Sequence, residues 1–296
     1  MKIIFSSILI LFLVSPLSFS QSKNGMKVFI SVDMEGVTGA ANFDELGIGG
    51  FGGRQAKDYD YFRTLVTKEA NSAIEGALAA GATEIVVRDA HSSQRNIFPD
   101  MLNKNAKLLR AHSGGFMDMV EGIDETFDAV ILIGYHAKAG TPNAVLEHTV
   151  SLDIMDISIN GISLPEAGIN ALIAGYYNVP IVFVSGDLAI CSQIEKLLSD
   201  VETVSVKEGI GNAVINLHPE VSRKKIQEGV QKALLNLNKY KPYKLRSPYK
   251  MVLILKKEEL VYKGSFFPGV KRTGDWELTY ENENLMEVIN AFQWLN

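Results

Sequence analysis

Four short apolar runs punctuate the first two thirds of the chain: 26–32 (MKVFISV), 84–87 (EIVV), 129–133 (AVILI) and 180–184 (PIVFV). They are continuous rather than alternating, the pattern of strands buried on both faces of a sheet. Between them lie segments of helical texture: 59–81 ends in Ala-Ala-Gly, a helix stop, and 165–177 follows a turn. Strand and helix in alternation predict an α/β fold, a mostly parallel sheet flanked by helices. One hairpin is predicted within it at 157–164, with Asn160-Gly161 as the two-residue turn.

The texture changes after about residue 190. The segment 223–239 (RKKIQEGVQKALLNLNK) predicts an amphipathic basic helix whose charges suit a solvated face. Residues 251–255 and the chain from Tyr262 onward read as strands, and 285–294 as a closing helix. The expected organisation is a metal-binding α/β domain over 26–190 and a smaller C-terminal α+β domain over 191–296. The Gly-rich stretch 43–53 (FDELGIGGFGG) lacks the Lys-Ser/Thr ending of a phosphate-binding loop, so it is not read as nucleotide-binding.

The first twenty residues stand apart. MKIIFSSILILFLVSPLSFS has an early Lys, an apolar stretch and small residues at its end, which predicts a signal peptide cleaved near Ser20–Gln21. Its apolar run is well short of the ~20 residues that span a bilayer, and no later stretch qualifies either. The mature chain is therefore expected to be exported, to periplasm or medium, without a membrane span. The single cysteine, Cys191, excludes an internal disulfide. With 296 residues, 47% hydrophobic and 21% charged, the chain can bury a sizeable core, so any metal serves chemistry rather than folding. Lys+Arg 29 against Asp+Glu 34 leaves no basic excess for phosphates, which argues against nucleic acid as a partner.

The chemistry gathers where the apolar runs end. The first runs into Asp33-Met34-Glu35-Gly36, the second into Arg88-Asp89-Ala90-His91, the third into Gly134-Tyr135-His136, and the fourth into Ser185-Gly186-Asp187. Ligands of open α/β sheets bind beyond the carboxyl ends of the strands, so these groups are expected to meet in one crevice. Asp33, Glu35, His91 and His136 form a ligand set without thiolate, suited to zinc or manganese, and a bridging carboxylate among them could hold two ions. Taken singly, an Asp-x-Glu also fits a turn or helix cap, and a His after a strand also fits a plain hydrogen bond. Glu166, in the first turn of a predicted helix, also fits the helix dipole, whereas His148 could shuttle protons beside a metal.

Several separated motifs, SVDMEG at 31–36, RDAH at 88–91, GYHA at 134–137, EHT at 147–149 and PEAGINALIAGYY at 165–177, together resemble the D-aminopeptidases of dipeptide-transport operons. The similarity continues through 120–129, 180–187 and 267–280, and so runs from about Met26 to the C-terminus. It implies a binuclear zinc site with Asp33, Glu35, His91, His136 and Glu166 as ligands, His148 as catalytic histidine, and a homodecamer whose active sites face an internal channel. The expected activity is zinc-dependent release of an N-terminal D-amino acid from short peptides, through metal-activated water. Two other readings stay open: another binuclear-metal hydrolase, acting on amides or phosphate esters, and an exported metal- or peptide-binding module without turnover.

Overall fold

The computed structural model describes residues 25–47 and 58–296. The leader expected over 1–20 and most of the Gly-rich stretch, 48–53, lie outside the described residues. Two sheets organise the chain. The larger has the order β3-β2-β1-β4-β7-β8-β9, built from β1 (Met26–Val32), β2 (Ala82–Asp89), β3 (Lys107–Leu109), β4 (Ala129–Tyr135), β7 (Ile181–Asp187), β8 (Glu202–Ile210) and β9 (Ala213–Asn216). All its pairings are parallel except β8 with β9. The smaller is antiparallel, in the order β11-β12-β10-β5-β6. Its strands are β5 (Ile154–Ile159), β6 (Ile162–Ser163), β10 (Tyr249–Leu255), β11 (Lys271–Arg272) and β12 (Glu277–Asn282).

Helices cover both faces of the large sheet. Side chains alternate along a strand, so Val28, Ile30 and Val32 point one way, onto the buried faces of α1 (Tyr59–Ala79) and α4 (Pro219–Leu235). Phe29 points the other way, into a core shared with α2 (Glu166–Tyr176) and α3 (Leu188–Leu198). The apolar face of the small sheet, with Ile157, Leu253 and Leu278, joins this same core, as does α6 (Leu285–Leu295) through Val288, Ile289 and Phe292. Among the described residues no helix is long and apolar enough to cross a membrane.

The α/β architecture agrees with the pattern of apolar runs, and the hairpin forms at β5–β6 with Asn160 and Gly161 both left-handed (φ 53° and 77°). The expected division at residue 190 does not follow the sheets. β8, β9 and α4 complete the large sheet after that point, and β5 and β6 leave it earlier to pair with β10. The small sheet has no core of its own, because its apolar face is continuous with that of the large one. Residues 258–264, partly within the stretch read as strand, form a helix, α5 (Glu258–Gly264), and strand returns only at β11 and β12.

Candidate metal centre

The carboxyl ends of β1 and β4 are pressed together. Asp33 N donates to Ile133 O (2.8 Å) and Gly36 N to Gly134 O (2.7 Å). A Cβ on Gly36 would lie 1.9 Å from Tyr135 O, and Gly134 takes φ +73° against the Asp33 carbonyl, so both positions need glycine. Beneath the turn, the buried ammonium of Lys207 donates to the carbonyls of Glu35 and Ala40. Burial pushes its pKa down to about 8. The chain after β1 is thereby fixed with both Asp33 and Glu35 turned inward.

His91 arrives from β2. Asp89 does not join it: its carboxylate takes bonds from Asn96 N (2.6 Å), Ile97 N (2.8 Å) and Asn96 Nδ2 (2.8 Å), while the same amide holds His91 O (2.6 Å). Residues two apart share a face only while a strand continues; here it stops at Asp89 and the chain turns, with Gln94 N bonded to His91 O, so Asp89 and His91 part. Asp187, at the end of β7, likewise stays out and caps α3 through Ile190 N (2.8 Å). Glu166 enters from the first turn of α2, one oxygen accepting from Val150 N (2.6 Å). His148 comes from a loop whose flanking Leu146 and Val150 are both left-handed (φ 62° and 60°). That backbone is costly for a β-branched valine and concentrates at functional sites.

These six side chains converge. His91 Nδ1 lies 3.0 Å from Glu35 and 3.4 Å from Asp33, and His136 Nε2 lies 3.3 Å from Glu166 and 3.6 Å from Asp33. His148 Nε2 is 3.8 Å from Glu166 and 3.9 Å from Glu35, with its ring stacked on His136 at 4.1 Å and 6°. Each imidazole gives its other nitrogen to a backbone carbonyl: His91 Nε2 to Leu46 O, His136 Nδ1 to Ala137 O, His148 Nδ1 to Leu146 O. A carbonyl only accepts, so in each ring the nitrogen facing the carboxylates is the one left for a cation or a proton. Donor atoms of Asp33, Glu35 and His136 lie within 4.8 Å of one another, and so do those of His136, His148 and Glu166.

The cluster fits a cation on its own chemistry. Asp33 Oδ2 and His136 Nε2 face each other, buried, and neither has a hydrogen-bond partner. Burial, then the charge of Glu35, pushes the Asp33 carboxyl up to about 8. Burial opposes ionisation of Glu35 and Glu166 too, but the imidazoles outweigh it, His91 foremost at Glu35 and His136 at Glu166, and hold both below the usual carboxylate range. Burial equally opposes protonation of the imidazoles. It is overcome at His91 by Glu35, and at His136 by Glu166, which lifts His136 to about 10. At His148 burial prevails, aided by His136, and the pKa falls. Protons thus neutralise a nest of three carboxylates where a divalent ion would do so.

A cavity of about 850 Å³ opens onto this cluster. Its far wall comes from α6, with Asn290, Gln293 and Trp294, and its near wall from Phe43, Leu46 and the 112–118 segment. Sequence patterns brought Asp33, Glu35, His91, His136, Glu166 and His148 to notice, and the fold brings all six together. It adds Lys207, Gln94 and Asp118, which no local pattern marks, and ties the last two to the buried Arg88.

A parallel sheet delivering a buried carboxylate–imidazole nest to a substrate-sized cavity defines a metal-dependent hydrolase. The D-aminopeptidase model of the M55 peptidases matches residues 26–294, and the chain belongs to that family. It is 32% identical over 273 residues to the D-aminopeptidase of Bacillus subtilis, covering 90% of this chain and 95% of that one. The solved Zn-dependent D-aminopeptidase DppA of Bacillus subtilis, described as a self-compartmentalizing protease, superposes with a TM-score of 0.86 at 30% identity, over 91% of this chain and 96% of that one.

Proposed function

We propose that the protein is a zinc-dependent aminopeptidase that releases an N-terminal D-amino acid from short peptides. Asp33, Glu35, His91, His136 and Glu166 hold two zinc ions, and His148 is the catalytic residue. The observation that carries this reading is the buried carboxylate of Asp33 set between two imidazole–carboxylate pairs, His91 with Glu35 on one side and His136 with Glu166 on the other. Imidazole and carboxylate without thiolate suit zinc, and both relatives are D-aminopeptidases, the solved one Zn-dependent.

Zinc bound there supplies Lewis acidity, polarising a scissile carbonyl and acidifying water. The protein supplies the rest. Backbone carbonyls fix the tautomers and orientations of His91 and His136, and Val150 N orients Glu166. His148, its Nδ1 proton committed to Leu146 O, presents an accepting Nε2 beside the reacting centre. There it takes a proton from the attacking water and returns it to the leaving amine. Stacking on His136 keeps the ring in that orientation.

The assembly is proposed to be a homo-oligomer, in keeping with the self-compartmentalizing relative, and a decamer by the resemblance of the motifs. Export through the leader would place the substrates among D-amino-acid peptides derived from peptidoglycan. The test is elemental analysis of the mature protein alongside a panel of L- and D-dipeptides and aryl phosphates. Two equivalents of zinc with D-selective release of the first residue are expected. Turnover of phosphate esters but not peptides, or tight binding of an intact D-dipeptide without product, would replace this reading with a phosphoesterase or a binding module.

A further inference from the structure

An enzyme that acts only at a free N-terminus has to recognise the α-ammonium, and the three carboxylates of the metal cluster are committed to cations. Among the described residues lining the cavity there is one other acid, Asp118. We propose that Asp118 is the carboxylate that receives the free α-ammonium of the substrate, an inference that rests on the aminopeptidase reading above.

The construction around Asp118 is that of a held binding group. Arg88, buried on β2 three residues before His91, donates Nε to the Asp118 carbonyl (3.1 Å), Nη1 to Ala111 O (3.0 Å) and Nη2 to the side-chain oxygen of Gln94. Gln94, itself buried, donates its amide to Asp118 Oδ1 (2.6 Å). Among the described residues Asp118 Oδ2 has no hydrogen-bond partner, and it is absent from the buried polar atoms left unpaired, so it is open to the cavity.

All three residues that Arg88 ties together, Gln94, Ala111 and Asp118, are non-glycine residues in the left-handed region (φ 54°, 72° and 43°). Such backbone costs free energy and persists where the surroundings over-determine it, characteristically at ligand clamps. Arg88 spends these three bonds on uncharged acceptors and makes no direct bond to the Asp118 carboxylate, which leaves Oδ2 room for a second cation. Burial outweighs the nearby charge of Arg88 and lifts the pKa of Asp118, with Glu166 adding to the rise and Gln94 and His112 opposing it.

The test is Asp118→Asn, which keeps an acceptor for Gln94 and removes only the charge. Its zinc content and melting temperature are compared first with those of the parent protein. If either is lost, Asp118→Ser is read by the same ratios. A charge-assisted bond of this kind predicts that KM for D-alanyl-D-alanine rises about ten- to a hundredfold, with kcat changed less. The preference for the free dipeptide over its N-acetyl derivative shrinks by the same factor. Independently of turnover, calorimetry on the zinc-loaded protein compares D-alanine with propionate, which lacks the amine. The parent protein is expected to prefer D-alanine and the variant to prefer neither. A variant that keeps the full amine preference overturns the assignment. A parent protein that hydrolyses no dipeptide, yet shows an amine preference abolished by Asp118→Asn, would defeat the peptidase reading and leave the Asp118 site standing.

Discussion

His136 and His148 are parallel rings 4.1 Å apart, and their different places in the network predict different losses. His136 Nε2 faces both Asp33 and Glu166, at 3.6 and 3.3 Å, so His136→Ala should lose metal and activity together. His148 stands farther from every carboxylate, at 3.8 and 3.9 Å, so His148→Ala should keep its zinc while kcat falls about 10²–10⁴-fold, the usual worth of a general acid–base group. Loss of zinc from His148→Ala would make it a ligand, and full activity would remove it from catalysis. Metal uptake also has to displace protons. In the metal-free fold Asp33 titrates at about 8 instead of 3.8, and His136 at about 10 instead of 6.5. Both folded values exceed the unfolded ones. Their contribution to metal-free stability is therefore present at low pH and is lost through Asp33 as pH rises to about 8 and through His136 as it rises to about 10. Zinc replaces these protons, so its affinity should climb over the same range. Calorimetric titration near neutral pH, in two buffers of different ionisation enthalpy, should show proton release; equal heats in both would contradict it.

At the scale of elements, the packing of α1 on α4 depends on one missing side chain. A Cβ on Gly76 would lie 2.4 Å from the Gln227 carbonyl of α4 and 3.0 Å from Val230 Cβ. Alanine favours a helix interior over glycine by about 0.5–1 kcal/mol, but a backbone carbonyl cannot move aside without parting the helices. Gly76→Ala should therefore cost a net ~1–2 kcal/mol, read as a lower denaturation midpoint, with the zinc content unchanged. A midpoint at or above that of the parent protein would mean that the interface yields. The strands that carry the site were legible because each is a short apolar run with polar residues directly after it, and burial on both faces leaves that mark in sequence. Sheet membership was not legible, because it is decided by partners far along the chain. β5 pairs with β10 across nearly a hundred residues, and β8 joins β7 after the texture of the sequence has already changed. Lys207 and Asp118 escaped for the same reason: Lys207 meets Glu35 across 172 positions, and Asp118 gains its setting from a buried arginine 30 residues away. His148 follows no strand, and its place is set by a left-handed loop that Leu146 and Val150 do not advertise.

Across the whole molecule, the segment from α5 to α6 exposes Tyr262, Phe266, Trp276 and Trp294, with Phe266 and Trp294 each 70% exposed. Tyr262 and Phe266 stack edge to face at 5.1 Å, and Trp294, together with the exposed Leu152, borders the cavity that leads to the metal cluster. Scattered apolar residues on a surface need no explanation, but several large exposed aromatics along one segment suit the association surface that the proposed homo-oligomer requires. Covering them with other copies of the chain would also narrow the approach to the cavity, since its rim and the aromatic surface share α6. The protein should therefore sediment as a species several times the mass of one chain. Placing a charge where an apolar ring is desolvated carries a large cost, so Phe266→Asp should shift sedimentation toward smaller species. Its zinc content should remain that of the parent protein, because no ligand lies on α5 or α6. An unchanged profile for Phe266→Asp takes this residue out of the contact, and a parent protein that sediments as a single chain removes the assembly altogether.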